Sequence, residues 1–423
     1  MLFIYGALGI GGVETYFVRI AKQRHKKGLR TKMLLQYPEK SNPELLQQMK
    51  QYAEVYEYSD VFHFPSFAKY FKLTTPLKND TLNDIFDGVD LLHVFQGEDA
   101  LLAYRLCSKV NVSIPISVGF YHYVHYLWGG RSIPYYEKVN RKFVLNYLPK
   151  PLLMLFSKDN ISLYNTHTGD DFSQASTFSI GVIDKKNEVK FKEQTSQVVK
   201  VCAVGRLVDF KTYNIHLVRE IKELVDSGHA VECHIYGSGP NKSKIKNEII
   251  KNGLERIMEL KGSFDYSKFD SIVSEYDIFI GTGTAIVQAS SLGVPSIAAI
   301  DNEPGPDTYG YFCNIADRQY GRKGLNIKKE RIYDIVLDYI YLNDNERYSL
   351  QKSHVECIER YLIENSVLAL DELKNVAMPR KSFPNYSLVT YELSRFIHKI
   401  QCKIRKSKLL EKQRLPDKKF NDI

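Results

Sequence analysis

Short, uninterrupted apolar runs alternate with segments of helical spacing along the first half of the chain. Residues 2–5 form such a run and a glycine-rich turn, residues 6–12, follows. Val13, Tyr16, Phe17, Ile20 and Ala21 then recur at the intervals of one helix face. Residues 31–36, 90–95 and 114–118 read as further buried strands, with a helix over 44–52. Continuous apolar strands separated by helices predict a parallel sheet covered on both faces. A polar stretch, residues 184–197, interrupts this pattern, which restarts at Val198. Strand 199–204, helix 215–228, strand 231–236, helix 245–252 and strands 277–280 and 296–300 follow. The expectation is an α/β chain of two doubly wound domains, 1–183 and 198–370, joined by the linker 184–197. Helices and a basic tail over 371–423 would close it. Ligands of such sheets bind beyond the carboxyl ends of the strands, here expected in the cleft between the domains.

The 423 residues suffice for two or three domains, and 44% hydrophobic with 25% charged residues fits an ordered globular protein. No run reaches the roughly 18–20 apolar residues a membrane span needs. The most apolar neighbourhood, 143–156, is broken by Asn146, Pro149, Lys150 and Pro151. Residues 1–5 read as a strand and not as the basic start of a secretory leader. The six cysteines lie far apart with no C-x-x-C pair. That spacing excludes the usual zinc sites and a disulfide framework, and predicts a cytoplasmic protein. The net charge of +9 gathers at one end, because residues 395–423 carry ten Lys/Arg against three acids. A nearly neutral body argues against nucleic acid as a partner. The basic end is either a solvated helix and tail or a contact with an anionic membrane surface, such as the inner face of the plasma membrane. There each basic residue contributes about 1 kcal/mol.

Four segments carry candidate chemistry. Gly9-Ile10-Gly11-Gly12-Val13-Glu14 opens the first helix. Gly11 and Gly12 would let a ligand approach free N–H donors, or the segment is simply a tight turn with Glu14 complementing the helix dipole. The spacing is not that of a dinucleotide fingerprint. Gly205-Arg206-Leu207 follows the first strand of the second half, with Lys211 five positions beyond Arg206. Two cations so placed can neutralise a leaving pyrophosphate where no metal is held, or they pair with Asp209 on the surface. Tyr236-Gly237-Ser238-Gly239-Pro240 is a glycine turn at a strand's carboxyl end that lacks the Lys-Ser/Thr of a P-loop. Thr282-Gly283-Thr284 opens a helix that carries Gln288 and ends near Gly293. Its threonines would donate to phosphate or sugar oxygens, or cap the helix. His122 stands beyond strand 114–118 as a candidate base or sugar donor. His93, inside an apolar strand, reads as a buried, satisfied histidine. Residues 120–151, rich in Tyr and Phe and holding the one tryptophan, Trp128, read as a packed helical hairpin or as a face toward a membrane-borne acceptor.

In their order and spacing over residues 1–370, these segments resemble the retaining GT-B glycosyltransferases of the "group 1" class, in particular bacterial enzymes of capsule, exopolysaccharide or lipopolysaccharide assembly. The resemblance implies a GT-B fold, two Rossmann-like domains facing a central cleft, with an acceptor-side N-terminal domain and a nucleotide-sugar-binding C-terminal one. It implies catalytic roles for Arg206 and Lys211 on the donor diphosphate and for His122 beside the transferred sugar. Gly11, Gly12, Gly205, Gly237, Gly239, Gly262, Thr282, Gly283, Thr284 and Gln288 would border the donor. The partners would be a nucleotide sugar and a glycan or lipid-linked acceptor, with retention of configuration and without a cofactor or metal.

One departure bears on activity. Where the family carries two glutamates eight positions apart, this chain has Ile280 and Gln288. Gln288 can still hydrogen-bond ribose hydroxyls, but position 280 offers no carboxylate. Three readings follow: an active transferase, favoured because the Arg206/Lys211 pair is intact; a non-catalytic nucleotide-sugar-binding subunit; or a nucleotide-sugar epimerase, which would want clustered acids that the sequence does not show.

Overall fold

The computed structural model describes residues 1–9, 11–129, 133–184, 189, 191–192 and 196–404. The chain divides into two units, Met1–Ile180 with Ile363–Ile423, and Gly181–Leu362. Most of the expected linker, and the basic tail from 405 onward, lie outside the described residues.

The first unit holds a seven-stranded sheet of β1 (Leu2–Tyr5), β2 (Lys32–Leu35), β3 (Glu54–Glu57), β4 (Leu92–Val94), β5 (Ile116–Gly119), β6 (Leu153–Leu155) and β7 (Ser176–Thr177), in spatial order β3-β2-β1-β4-β5-β6-β7. Every pairing is parallel. β2, β4, β5 and β6 are buried throughout, and β1 in all but Tyr5, because helices cover both faces. The second unit repeats the plan with β8 (Val199–Val204), β9 (Val231–Tyr236), β10 (Met258–Gly262), β11 (Ile278–Gly281), β12 (Ser296–Ala299), β13 (Asp307–Tyr311) and β14 (Glu330–Arg331), in spatial order β10-β9-β8-β11-β12-β13-β14. Its last two strands run antiparallel, an ending the apolar runs had not revealed. In both sheets the order reverses beside the first strand, between β1 and β4 and between β8 and β11. That switch leaves a crevice at the carboxyl ends, where doubly wound sheets bind ligands.

The boundary expected at 370 moves to 362. Helix Ile363–Glu372 buries Ile363, Val367 and Leu370 in one core with Phe17, Ile20 and Ala21 of helix Gly12–Lys26. Arg24 pairs with Asp371, and Gln23 donates to Glu364 at 3.2 Å. The apolar stripe of 363–370 was readable, but nothing in it says which sheet it covers.

Helix Leu388–Ile404 also belongs to the first unit, where it packs along helix Tyr135–Arg141. Tyr391 donates to Asn140 at 2.7 Å, and Arg395 is buried against Glu98 (2.9 Å) and Glu392 (3.0 Å). Lys72, with no exposed surface, completes the network through Asp99 (2.6 Å) and Glu98 (3.5 Å). Burial opposes the Glu98 charge, but Lys72 and Arg395 outweigh it and bring its pKa down to about 2. Arg395 is therefore an internal residue and not part of a solvated basic tail, which corrects the expectation for its position.

Because removing one partner strands buried charge, Arg395→Met is expected to destabilise the chain by about 3–5 kcal/mol, measured by urea denaturation.

Candidate functional site

In the second unit the chain leaves β8 through Gly205-Arg206-Leu207, and the turn after β9 is laid against this loop. Gly205 N–H donates to Tyr236 O (3.0 Å) and Leu207 N–H to Ser238 O (2.9 Å). The approach is so close that a Cβ on Gly237 would stand 1.9 Å from the Gly205 carbonyl oxygen. On Gly239 it would stand 2.3 Å from the Leu207 oxygen. Gly262 accepts from Gly237 N–H at 2.8 Å and extends the stack to β10. These three glycines, expected at the donor, shape the site by supporting the loop that carries Arg206.

Arg206 is exposed on that loop, and Lys211 folds back beneath it. Lys211 Nζ lies 2.7 Å from where a Gly205 Cβ would be. Burial lowers the Lys211 pKa and Arg206 lowers it further, against an opposing pull from Asp301. Asp301, just beyond β12, is the acid that sequence reasoning missed. Its Oδ1 is buried without a hydrogen-bond partner among the described residues, and burial pushes its pKa up to about 7 against the attraction of Lys211. Asp301 follows the expected strand 296–300 directly, but nothing in the sequence says that Lys211 meets it there.

The ends of β11 and β12 join the same cluster. Asp301 N–H donates to Gly321 O at 2.9 Å, and Tyr320 donates to Gly283 O at 3.0 Å. Thr282 Oγ1 is 2.5 Å from where a Gly321 Cβ would stand. Helix Thr284–Ser291 starts at Gly283, with φ +71° and no side-chain cap. The threonines thus do not cap it. Gln288 lies in the second turn with its amide spent on its own neighbours, accepting from Tyr266 (2.7 Å) and donating to Asp270 (2.8 Å). Ile280 is core. Neither position offers a carboxylate; Asp270 accepts from Gln288, and Asp301 stands beside Lys211.

His122 lies in the first unit, where the carboxyl ends of β1, β2 and β4 open on a cavity of about 700 Å³. Tyr5, Tyr37, Phe95, Tyr126, Trp128 and Tyr136 give it aromatic walls. Gln36, Gln96, Glu98 and Asn140 add hydrogen-bonding groups, and Arg395, His398 and Cys402 enter from helix Leu388–Ile404. His122 is exposed at its edge, stacked on Tyr123 with ring centroids 4.8 Å apart. His125 Nδ1 and Tyr126 Oη, on two lining residues, are buried without a hydrogen-bond partner among the described residues. Burial drives the His125 pKa down to about 3, so the ring is neutral. Such a lining, flat rings with convergent polar groups, suits a polyhydroxylated ligand. Trp128 stacks on His398 (5.6 Å) and on the Arg141 guanidinium (5.5 Å). The aromatic stretch after β5 is therefore built into the cavity wall. His93 is buried between Ser117 (2.8 Å) and Tyr121 (2.6 Å), as its strand position implied. At Gly11, a Cβ would stand 2.4 Å from Glu14 Oε2, while Glu14 Oε1 accepts from Tyr5 at 3.1 Å. A carboxylate thus sits over the start of the first helix beside Gly11 and Gly12. Among the described residues no group of three or more His, Cys, Asp or Glu is placed to hold a metal.

No family model matches the chain. It is 28% identical over 207 residues to a poly(ribitol-phosphate) alpha-N-acetylglucosaminyltransferase of Staphylococcus aureus, an alignment that covers 46% of this chain and 39% of that protein. The structure of Anabaena HepE in complex with UDP and glucose is similar at TM-score 0.59 and 13% identity, over 88% of this chain and 98% of that one. A point mutant of S. aureus TarM, in complex with Fondaparinux, alpha-GlcNAc-glycerol and UDP, is similar at TM-score 0.58 and 13% identity, over 89% of this chain and 99% of that one. The chain thus has the α/β fold of the GT-B glycosyltransferases, and the resemblance carried by its motifs holds at that level.

Two outcomes are expected. Gly237→Ala should cost roughly 1–3 kcal/mol in urea denaturation, since the backbone must yield and the residue sits at φ +141°. Asp301→Asn tests the buried acid. Folding raises the Asp301 pKa to about 7, so the folded chain holds a proton that the unfolded chain releases above about pH 4. Stability from this group is present at low pH and lost as pH rises toward 7. The asparagine variant should therefore gain in melting temperature over the native chain on going from pH 5 to pH 8.

Proposed function

We propose that this chain is a glycosyltransferase that moves a sugar from a nucleotide-sugar donor to a glycan or lipid-linked acceptor in cell-surface polysaccharide synthesis. The observation that carries the reading is the convergence of Arg206, Lys211 and the Thr282–Thr284 turn at the β8/β11 switch of the second unit. Loss of a nucleoside diphosphate leaves two phosphates whose charge grows in the transition state. Arg206 meets that charge from the loop and Lys211 from beneath it, and preorganised cations in a partly dry site act more strongly than they would in water. A diphosphate beside Lys211 also offsets the burial that weakens its charge. With these two cations to meet the charge, the reaction proceeds without a metal, and the sugar keeps its anomeric configuration. The aromatic cavity of the first unit, with His122 at its edge, takes the acceptor. UDP is the first nucleotide to test, because the HepE and TarM complexes both contain it.

The second reading, a subunit that binds a nucleotide sugar without turning it over, is favoured by one observation: Ile280 is core and the Gln288 amide is engaged by Tyr266 and Asp270. Thermal-shift screening against nucleotide sugars, followed by sugar release with extracted acceptor, separates the two. Donor binding without sugar release favours the subunit, and no binding by any nucleotide sugar removes both. For an active transferase, Arg206→Ala and Lys211→Ala are each expected to lower kcat by about 10²–10³, the cost typical of losing one transition-state donor. Proton NMR of the product's anomeric linkage tests retention.

A further inference from the structure

Helix Leu388–Ile404 is built inside out. Its inward face carries Tyr391, Glu392 and Arg395, all buried in the first unit. Its outward face carries Val389, Leu393, Ile397, Ile400 and Ile404, which are 65, 48, 52, 40 and 77% exposed. Intervals of four, four, three and four residues hold these five within an arc of about 80° at 3.6 residues per turn. The stripe continues onto helix Pro65–Phe71. There Phe396 packs against Phe71 (5.7 Å between centroids) and Tyr70 (6.1 Å), while Phe64, Phe67 and Tyr70 are exposed. Scattered apolar side chains on a surface need no explanation, but an ordered array of eight does.

We propose that this face docks on an anionic membrane surface. Cations flank the stripe and identify its partner. Lys40 and Lys399 stand 4.2 and 5.6 Å from the Tyr37 ring, Lys69 (5.5 Å) is paired there with Glu39 at 2.8 Å, and Lys403 follows one turn beyond Lys399. In sequence, residues 405–423 add seven Lys/Arg against three acids. A second copy of the chain would bring these like charges together, whereas anionic headgroups answer them. No helix among the described residues is long and apolar enough to cross a membrane. The 17-residue helix therefore lies in the interface plane, its outer side chains among the upper acyl chains and its lysines at headgroup level. Docking goes beyond the proposed chemistry and does not depend on it. The same helix walls the cavity through Arg395, His398 and Cys402, so that the cavity lies next to the bilayer surface.

The test is flotation of the full chain with phosphatidylcholine vesicles, with and without phosphatidylglycerol. The chain should float with phosphatidylglycerol vesicles, less at high salt, and much less with phosphatidylcholine alone. Leu393→Ser/Ile397→Ser/Ile400→Ser changes only exposed positions, so its circular dichroism and its melting temperature should match the native chain. It should lose at least about tenfold in partitioning, given what burial of such side chains contributes. Phe64→Ser/Phe67→Ser, on the other helix, should weaken binding as well. Failure of the native chain to float with phosphatidylglycerol vesicles would overturn the proposal, as would undiminished binding of the triple variant. So would sedimentation equilibrium showing a native dimer that the triple variant loses, because the stripe would then be a self-association face.

Discussion

A helix that turns ions inward and apolar side chains outward stays in place only if its buried charges are answered. Glu98 provides that answer. It sits between Lys72 and Arg395, whose charges outweigh the cost of its burial, and through them it fastens helix Leu388–Ile404 to the first sheet. The wall of the aromatic cavity and the orientation of the outer stripe both follow from this one junction. An apolar contact of similar area would hold the helix as firmly but leave its rotation less defined.

The second unit solves a different problem, how to keep two cations close with a weakened carboxylate, Asp301, beside Lys211. Backbone does the work. Gly237 and Gly239 let the turn after β9 brace the loop of Arg206 at distances no side chain allows. Lys211 is weakened as an ammonium by burial and by Arg206, and Asp301 is weakened as a carboxylate by the same dryness. Each half of this pair is held away from its preferred charge state, a poise that a bound polyanion would release.

The architecture was largely legible, because continuous apolar runs between helices leave little choice but a covered parallel sheet. Elements with few residues or polar faces escaped. β3 has one exposed and three partly buried positions, β7 and β14 have two residues each, and β13 returns antiparallel. At the site, Arg206 and the Thr282 turn come near Lys211 and Asp301, since each is tied to the end of a strand. Asp301 and Asp270 were invisible because their meaning depends on which loops meet. The basic end was read by charge alone, which overlooked that Arg395 has an acid waiting for it 297 positions upstream. The stripe at 389, 393, 397, 400 and 404 was open to the eye, but a helical apolar face reads as core until a structure shows it facing out.

The order of the chain through the two units has a consequence for biogenesis. The first unit is discontinuous: it opens with residues 1–180 and is finished by 363 onward, with all of the second unit interposed. On a ribosome adding about 5–20 residues per second, its nascent sheet waits on the order of ten to forty seconds before the covering helices emerge. Throughout that delay Phe17 and Ile20 lack the helix that covers them, and Glu98 has Lys72 but not Arg395. The interval is a window in which a holding chaperone would find this polypeptide most in need.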